Sequence, residues 1–205
     1  MGRTGLTLPL VELWSTDGPA TSGLIPPDGC MDLVTDGEAV VVAGPDTTAR
    51  LFLSDGSGSP MWGARFHPGL LPSLLRLHAC TVTDQVVPLS DVVRTQVRPE
   101  HLMETERLWS VLPSDRVARA PLGVAADLWR GSTIEEAAQH AGWSSRQLRR
   151  LSVQWFGYGP KHLQRVLRVR RAEALLRQGM STTQVAAHCG YADSSHLWRD
   201  RRALL

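Results

Sequence analysis

A short sequence pattern occurs twice in the second half of this chain, 48 residues apart. Residues 137–143 read AAQHAGW, and residues 185–191 read VAAHCGY. Each copy combines small residues, a glycine and an aromatic residue, and a segment with helical spacing follows it. This order is typical of a helix-turn-helix, in which the glycine allows a tight turn between two helices packed at a steep angle. The repeat therefore predicts two helix-turn-helix motifs in tandem.

The charged residues are distributed unevenly between the two halves of the chain. Residues 121–205 contain 13 Lys and Arg against 6 Asp and Glu, whereas residues 1–120 contain 9 against 14. The stretch 144–171 contains eight basic residues and no carboxylate. Such a run is often only a solvated helix face. Here it begins at the second helix of a predicted turn motif, which favours contact with nucleic acid.

Other patterns argue against a membrane protein, a secreted protein or a metal site. No apolar run approaches the roughly 18 residues of a membrane helix, and the first residues do not resemble a signal peptide. The three cysteines are far apart and lack metal or redox spacing. We therefore expect a cytoplasmic protein with reduced thiols and no membrane contact, and we interpret Cys30 as a small buried residue rather than a redox sensor.

Enzymatic motifs are also missing from the sequence. The seven histidines include no His-x-His pair, and residues 56–59, GSGS, lack the lysine of a phosphate loop. We expect no catalytic residues, no metal and no cofactor. A β-barrel enzyme joined to a basic domain stays open as an alternative, which would require a metal or a bound substrate in the first half.

The first half has the pattern of short strands separated by turns. Residues 31–34, 39–43, 50–53 and 61–66 are rich in Val, Leu, Phe and Trp, and the segments between them, including 54–60, are rich in Gly, Pro, Asp and Ser. They predict a small β-rich barrel or sandwich in residues 1–95. Residues 70–79 have helical leucine spacing, residues 88–93 resemble a short capped helix, and residues 101–112 predict another helix within a helical linker, residues 96–120. The predicted fold class is α+β.

Residues 121–205 form the predicted all-α domain, whose helix ends are marked by capping residues. Ser132 with Glu135, and Ser181 with Gln184, have the spacing of capping boxes. Gly159 and Pro160 begin a long helix that runs to Arg177. Eighteen helical residues span about 27 Å. With the packed motifs at either end, two recognition helices of one chain could reach major grooves about 34 Å apart.

The second half resembles the AraC-type transcription regulators. The similarity lies in residues 134–150, 156–161, 168–172, 185–191 and 195–199. Residues 27–34, 42–47 and 63–69 are more weakly similar to the N-terminal domain of one branch of that family. The resemblance implies a regulator that binds double-stranded DNA and whose first domain senses a small-molecule effector, with RNA polymerase or a second copy of the chain as further partners.

The resemblance also implies which residues contact DNA. The first recognition helix would be residues 144–155, with Arg146, Arg149 and Arg150 facing bases and Leu148 and Leu151 facing the core. Ser144 and Lys161 would contact phosphates. The full set of implied DNA-binding residues is Ser144, Arg146, Gln147, Arg149, Arg150, Lys161, Ser194, Ser195, Trp198 and Arg199.

Two departures from the family pattern leave a further alternative open. Arg201 occupies a position where the family usually has an apolar residue, and the family's final short helix is not seen after Leu205. The alternative is a truncated family member that acts as a protein-interaction module, with weak or no specific DNA binding. His140 and His188 occupy equivalent repeat positions, and we expect packing or surface roles for both.

Overall fold

A computed structural model of the protein describes residues 10–16, 22–52 and 60–205. Within these ranges a β-rich part precedes a helical part, which confirms the predicted α+β class. The strands are β1 (Val11–Thr16), β2 (Gly23–Ile25), β3 (Met31–Thr35), β4 (Val40–Ala43), β5 (Arg50–Phe52), β6 (Met61–Phe66) and β7 (Val86–Pro88). None of the helices in the described ranges is long and apolar enough to cross a membrane.

The four predicted strands are confirmed as β3, β4, β5 and β6, with ends within one residue of those predicted. Residues 53–59, which carry most of the predicted turn after β5, lie outside the described residues. The sequence patterns did not predict β1, β2 or β7. These strands are short or interrupted by charge, and they become strands through pairing with distant partners.

Two layers make up the β-rich part. One is a five-stranded antiparallel sheet in the order β1-β6-β3-β4-β7, and the other is the two-stranded ribbon β2-β5. Alternate residues of the sheet face opposite sides. Leu33, Val42 and Phe66 point into a closed core, whereas Asp32 and Arg65 lie on the side that faces the ribbon. This arrangement matches the predicted sandwich.

Short helices close the core on one side of the sheet. They are α1 (Leu70–Leu75), α2 (Leu89–Val92) and α3 (Thr105–Val111), with single 3-10 turns at Ala79–Thr81, Pro99–Met103 and Ser114–Arg116. The predicted helix in residues 70–79 is confirmed as far as Leu75 and ends at Arg76, whose φ is 53°.

The predicted helix over residues 101–112 is wrong as a single element. A 3-10 turn ends at Met103, Glu104 is extended with φ −142°, and α3 starts at Thr105. In a continuous helix Leu102 and Leu108 would point about 120° apart, because each residue turns about 100°. The break lets both side chains enter one core. Residues 96–120, the predicted linker, thus supply four buried side chains to the first core: Val97, Leu102, Leu108 and Leu112.

Six helices form the second part, and five of them correspond to predicted features. They are α4 (Arg119–Arg130), α5 (Ile134–His140), α6 (Ser145–Phe156), α7 (Pro160–Arg177), α8 (Thr182–His188) and α9 (Ser194–Leu204). The limits of α7 and the capping box of Ser181 with Gln184 are confirmed. The other predicted capping box is wrong by one residue, since Thr133 with Glu136 forms it. Helix α4 was not predicted.

The two parts pack directly against each other through the loop that joins β4 to β5 and through the residues before β3. His162 Nε2 lies 3.0 Å from the carbonyl oxygen of Thr47, and the amide of Ala49 donates to the carbonyl of Leu204 at 2.6 Å. Arg170 Nη1 donates to the carbonyl of Asp28 at 3.3 Å. Burial at this contact lowers the pKa of His162, because the charged imidazolium loses hydration. The contact reaches the first turn and the middle of α7 and the end of α9.

Gly157 allows the end of α6 to approach the first part closely. Its φ is 79°, and an added Cβ would lie 2.3 Å from Thr83 Oγ1 and 2.6 Å from Pro45 Cγ. The Thr83 hydroxyl also donates to the Gly157 carbonyl at 3.3 Å. A side chain at this position would therefore separate the two parts.

We expect Gly157→Ala to destabilise the protein more than Gly179→Ala. Gly179 has φ 84° but open space around its Cβ position, so its substitution costs only the left-handed backbone strain, about 1–2 kcal/mol. Gly157→Ala adds a clash, which raises the loss by roughly 1–3 kcal/mol. Chemical unfolding of the two variants measures the difference, and equal losses would contradict the close interdomain contact.

Candidate DNA-binding surface and the cavity of the first part

The two sequence repeats form two similar helix-turn-helix units, α5-α6 and α8-α9. In both turns the glycine has a left-handed φ, 72° at Gly142 and 73° at Gly190. In both, the amide of the following aromatic residue donates over 2.9 Å to the carbonyl of the buried alanine five residues before it, Trp143 to Ala138 and Tyr191 to Ala186. The predicted tandem motifs are confirmed.

The aromatic residue of each turn supports the recognition helix that follows. The rings of Trp143 and Trp155 lie 4.9 Å apart, and those of Tyr191 and His196 lie 5.1 Å apart. Burial raises the pKa of Tyr191 to about 12. An aromatic residue at this place in the pattern therefore fixes the angle at which the second helix leaves the turn.

The second turn contains one more residue than the first. Ser144 caps α6 and Asp193 caps α9, so the recognition helices are related by 49 residues rather than 48. By this register Arg146, Arg149 and Arg150 correspond to Ser195, Trp198 and Arg199. These three pairs of positions implied by the family resemblance are thus equivalent in the two motifs.

Helix α6 presents a basic face to solvent. Arg146, Arg149, Arg150 and Val153 are exposed and lie within about 100° of the helix circumference; we call these four residues the α6 face. In the described part of the chain, no carboxylate forms an ion pair with them. Leu148, on the opposite side, is buried, whereas Leu151 is only half-buried. The α6 face is free to contact a polyanion.

Val153 belongs to this face although the sequence analysis did not single it out. Its side chain is 39% exposed. An apolar group in line with three arginines can contact the methyl group of thymine in a major groove. Val153 follows Arg146 by seven residues and Arg150 by three, which places all three on one face of a helix. This spacing could have identified it from the sequence.

Two of the implied contacts are shared with helix capping. Ser144 Oγ accepts from the amide of Gln147 at 3.2 Å, and Gln147 Oε1 accepts from the amide of Ser144 at 2.8 Å. Both residues are exposed. This reciprocal pair sets the start of α6. It leaves the side-chain nitrogen Nε2 of Gln147 available as a donor. Lys161, in the first turn of α7, is also exposed.

Four of the eight basic residues in the run 144–171 have partners within the protein, which the sequence pattern did not predict. Arg165 and Arg168 pair with Asp200 at 2.9 and 3.0 Å. Arg170 donates to Asp28 of the first part, and Arg171 Nη1 donates to the Trp129 carbonyl at 2.7 Å. These four arginines fasten α7 to its neighbours. Their carbonyl and carboxylate partners come from distant segments, so the local charge count could not show them.

The second recognition helix, α9, offers fewer basic groups. Ser195, Trp198 and Arg199 are exposed, with Trp198 at 53%, and Ser194 is half-buried at the first position of the helix. Arg201 is ion-paired with Glu173 of α7, and its guanidinium lies 4.1 Å from the centre of the Trp198 ring. An arginine in place of an apolar residue is thus accommodated by a carboxylate and an aromatic ring.

The paired histidine positions have no common role. His140 Nδ1 lies 3.0 Å from Asp127 Oδ2, and His188 is exposed at the end of α8. Among the described residues, no three His, Cys, Asp or Glu side chains are grouped as a metal site.

The first part contains a cavity of about 170 Å³ between the five-stranded sheet and the ribbon β2-β5. Its wall is mostly apolar, from residues such as Trp14, Val34, Phe52 and Met61. Ionisable side chains also line it, namely Asp28, Asp32, Asp46, Arg50 and Arg65. Cys30, at its edge, is buried, and burial raises the pKa of its thiol; the interpretation of Cys30 as a small buried residue is confirmed.

Two of these lining residues lie at or next to the hydrogen bonds that join the two parts of the protein. Asp46 precedes Thr47, whose carbonyl bonds to His162, and the carbonyl of Asp28 itself accepts from Arg170. One lining residue, Asp28, therefore bonds to α7 directly, and another, Asp46, is adjacent in sequence to a residue that does.

We expect Asp200→Asn to destabilise the second motif, because Arg165 and Arg168 would lose their carboxylate. Asp200 is buried, but both arginines are partly exposed, so the loss should be about 1–3 kcal/mol rather than the larger cost of a fully buried pair. Chemical unfolding measures it. The matched control is Glu104→Gln, since the Glu104–Arg107 pair is about half exposed; a similar loss in both variants would contradict the role of Asp200.

Comparisons with known proteins agree with this geometry. Residues 137–205 match the helix-turn-helix domain family, and residues 10–88 match a domain of unknown function, DUF6597. A search of the curated proteins found no similar sequence.

Several solved structures are similar to this chain. A transcriptional regulator with an AraC-type DNA-binding domain from Chromobacterium violaceum is 30% identical, over 41% of this chain and 76% of that one, with a TM-score of 0.37. A probable AraC family regulator from Rhodopseudomonas palustris is 28% identical, over 43% and 88%, also with a TM-score of 0.37. A ToxT variant from Vibrio cholerae is 13% identical, over 96% and 94%, with a TM-score of 0.48.

The family assignment follows from the sequence identity and the helix-turn-helix match, not from the low TM-scores. Proteins with AraC-type helix-turn-helix domains are transcription regulators and are generally not enzymes. By these criteria, and with both motifs folded as the repeat predicts, this chain belongs to the AraC family of helix-turn-helix transcription regulators.

Proposed function

We propose that this protein binds a specific DNA sequence through both helix-turn-helix motifs and that a small molecule bound in its first part regulates this binding. The observation that carries the proposal is the α6 face, where three exposed arginines have no carboxylate partner in the described part of the chain. Unpaired arginines on the second helix of such a motif are placed to enter a major groove.

The chemistry of the α6 face suits base contacts. An arginine can donate two hydrogen bonds to O6 and N7 of guanine, and Val153 can contact a thymine methyl. Ser144 and Lys161 lie at helix starts, where backbone amides and a positive charge favour phosphate. In α9 the equivalent positions, Ser195, Trp198 and Arg199, are exposed for a second set of contacts.

Helix α7 allows one chain to use two grooves. It joins the motifs with 18 residues, or about 27 Å, and successive major grooves on one face of DNA are about 34 Å apart. The packed helices at each end of α7 would have to supply the remaining distance. A dimer is not required for a bipartite site.

Regulation by a ligand is supported by the position of the cavity. Its lining residues Asp28 and Asp46 lie beside the contacts to Arg170 and His162 of α7. A ligand that binds one arrangement of this rim better than another shifts the equilibrium between them. The DNA-binding motifs would respond through α7.

A second candidate function is protein interaction without specific DNA binding. It is favoured by Trp198, an exposed aromatic on the less basic recognition helix, and by Leu24 and Leu51, which are 54% and 61% exposed and lie opposite each other on the ribbon. Exposed apolar groups of this kind are common at interfaces with a second copy or with a partner such as RNA polymerase.

Selection of bound sequences from a random duplex pool, with affinity measured against salt, tests the proposal. We expect enrichment of two sequence elements about one helical turn apart. A single short element would restrict base contacts to α6. Salt-sensitive binding without any enriched sequence, or no binding, would contradict the proposed function and favour the interaction module.

Single substitutions test the assigned contacts on the selected site. Arg146→Ala or Arg150→Ala should weaken binding to that site more than to random DNA, by about 1–3 kcal/mol for a bidentate base contact. Lys161→Ala should weaken both equally, since a phosphate contact carries no sequence information. Arg94→Ala, which removes an exposed charge from the first part, is the matched control. Equal losses for Arg150→Ala on both DNAs would reassign that residue to the phosphates.

A further inference from the structure

We infer that the cavity of the first part binds a small organic cation, an amine about one ring in size. Its ammonium group would lie beside Asp28 and Asp32, and its apolar part against Trp14 and Phe52. The inference rests on the proposed function, because it names the effector class of that same cavity.

The size of the cavity limits the ligand to a few heavy atoms. Its volume is about 170 Å³, and a 150 Å³ apolar cavity in another protein holds one benzene molecule. A single ring with a short substituent fits this space. A nucleotide or a long acyl chain does not.

The walls favour an apolar body with one polar end. Aromatic and aliphatic side chains supply most of the lining, and the ionisable residues lie among them. A binding site of this kind obtains affinity from the apolar surface and orientation from a few polar groups. The faces of Trp14 and Phe52 also attract a cation.

Among the described residues, the lining has one carboxylate more than it has guanidinium groups. Arg65 lies between two carboxylates, 3.3 Å from Asp28 Oδ2 and 3.1 Å from Asp32 Oδ1. Arg50 is already paired with Asp46 at 3.1 Å. Three aspartates therefore face two arginines. Arg170 lies beside this set and donates to the Asp28 carbonyl at 3.3 Å and to Cys30 Sγ at 3.5 Å. The carboxylate of Asp84, which accepts from Thr47, adds a negative charge on the side of Asp46.

The excess negative charge is placed where a cation can relieve it. Asp32 is largely shielded from solvent, and burial is the main reason that its pKa is raised. It accepts from Arg65 Nε and Nη2 at 3.1 and 3.2 Å and from Trp14 Nε1 at 3.4 Å. Arg65 is shared with Asp28, so its single positive charge compensates only one of the two carboxylates, and a buried charge without compensation is unfavourable. An ammonium group provides both the missing charge and hydrogen-bond donors. An anionic ligand would add a second unpaired negative charge, because the two arginines are already engaged.

Three probes of similar shape and different charge test the inference on the full chain without DNA. Benzylamine is a cation at pH 7.5, benzyl alcohol is neutral and benzoate is an anion. By titration calorimetry we expect benzylamine to bind at least about tenfold more tightly than benzyl alcohol, and benzoate most weakly. Tighter or equal binding of either other probe, or no binding of benzylamine, would overturn the inference.

Variants place the binding in the cavity. Asp32→Asn keeps the side-chain shape and should weaken benzylamine about tenfold or more while leaving benzyl alcohol nearly unchanged. Asp28→Asn is the second variant if Asp32→Asn fails to fold, as judged by its thermal midpoint. Asp91→Asn, at an exposed position on α2, is the matched control. An unchanged ratio of the two affinities in the Asp28 and Asp32 variants would overturn the inference.

This experiment is independent of DNA binding. Selective amine binding by a protein that selects no DNA sequence would leave the inference standing and reject the proposed regulator. Selection of a DNA sequence by a protein that binds no amine would overturn the inference and leave the proposed sequence-specific DNA binding standing.

Discussion

The structure depends on the burial of helix α7 on nearly every side. Leu163 and Leu167 lie in the core of the first motif, Ala172 and Leu175 lie in the core of the second, and Val166 and Val169 pack against Leu204. The arginines between these positions bond to Asp200, Trp129 and the first part. Because so many partners share one helix, a rotation of α7 would change the placement of both recognition helices and of the β-rich part together.

This arrangement explains what the sequence could and could not predict. Features set by neighbours in the chain were predictable: the capping pair of Ser181 with Gln184, the turn glycines Gly142 and Gly190, and the limits of α7. The partners of Arg165 and Arg170 were not, because Asp200 and Asp28 lie 35 and 142 residues away. An arginine that bonds across a domain contact has the same local pattern as one that faces DNA. The α6 face was predictable because its arginines share one side of an amphipathic helix, whereas the cavity, built from strands distant in sequence, was not.

The two recognition helices share a framework but differ in chemistry. The 49-residue register places Trp198 where the first motif has Arg149, and Ser195 where it has Arg146. In the proposed complex with DNA, electrostatic attraction to phosphates and donation to guanine would therefore be concentrated in α6. Helix α9 is held in place by Asp200 and by the pair of Arg201 with Glu173. Because these ion pairs attach α9 to α7, weak contacts from α9 would still add to affinity in the proposed complex, where the first motif would already be held on the duplex.

The energetics of the interdomain contact are of the right size for regulation. Coupling between a ligand site and a second site is typically about 1–3 kcal/mol. A hydrogen bond contributes about 0.5–1.5 kcal/mol net. Those that join the cavity rim and its neighbours to α7 and α9 include His162 with Thr47, Arg170 with Asp28 and with Cys30, and Ala49 with Leu204. If ligand binding broke or formed two of these hydrogen bonds, the free-energy change would be about 1–3 kcal/mol, which equals the typical coupling. A ligand that moves Asp28 would move two groups at once. These are its carbonyl oxygen, which accepts from Arg170, and its carboxylate, which pairs with Arg65. The charge balance of the cavity and the position of α7 therefore depend on one aspartate.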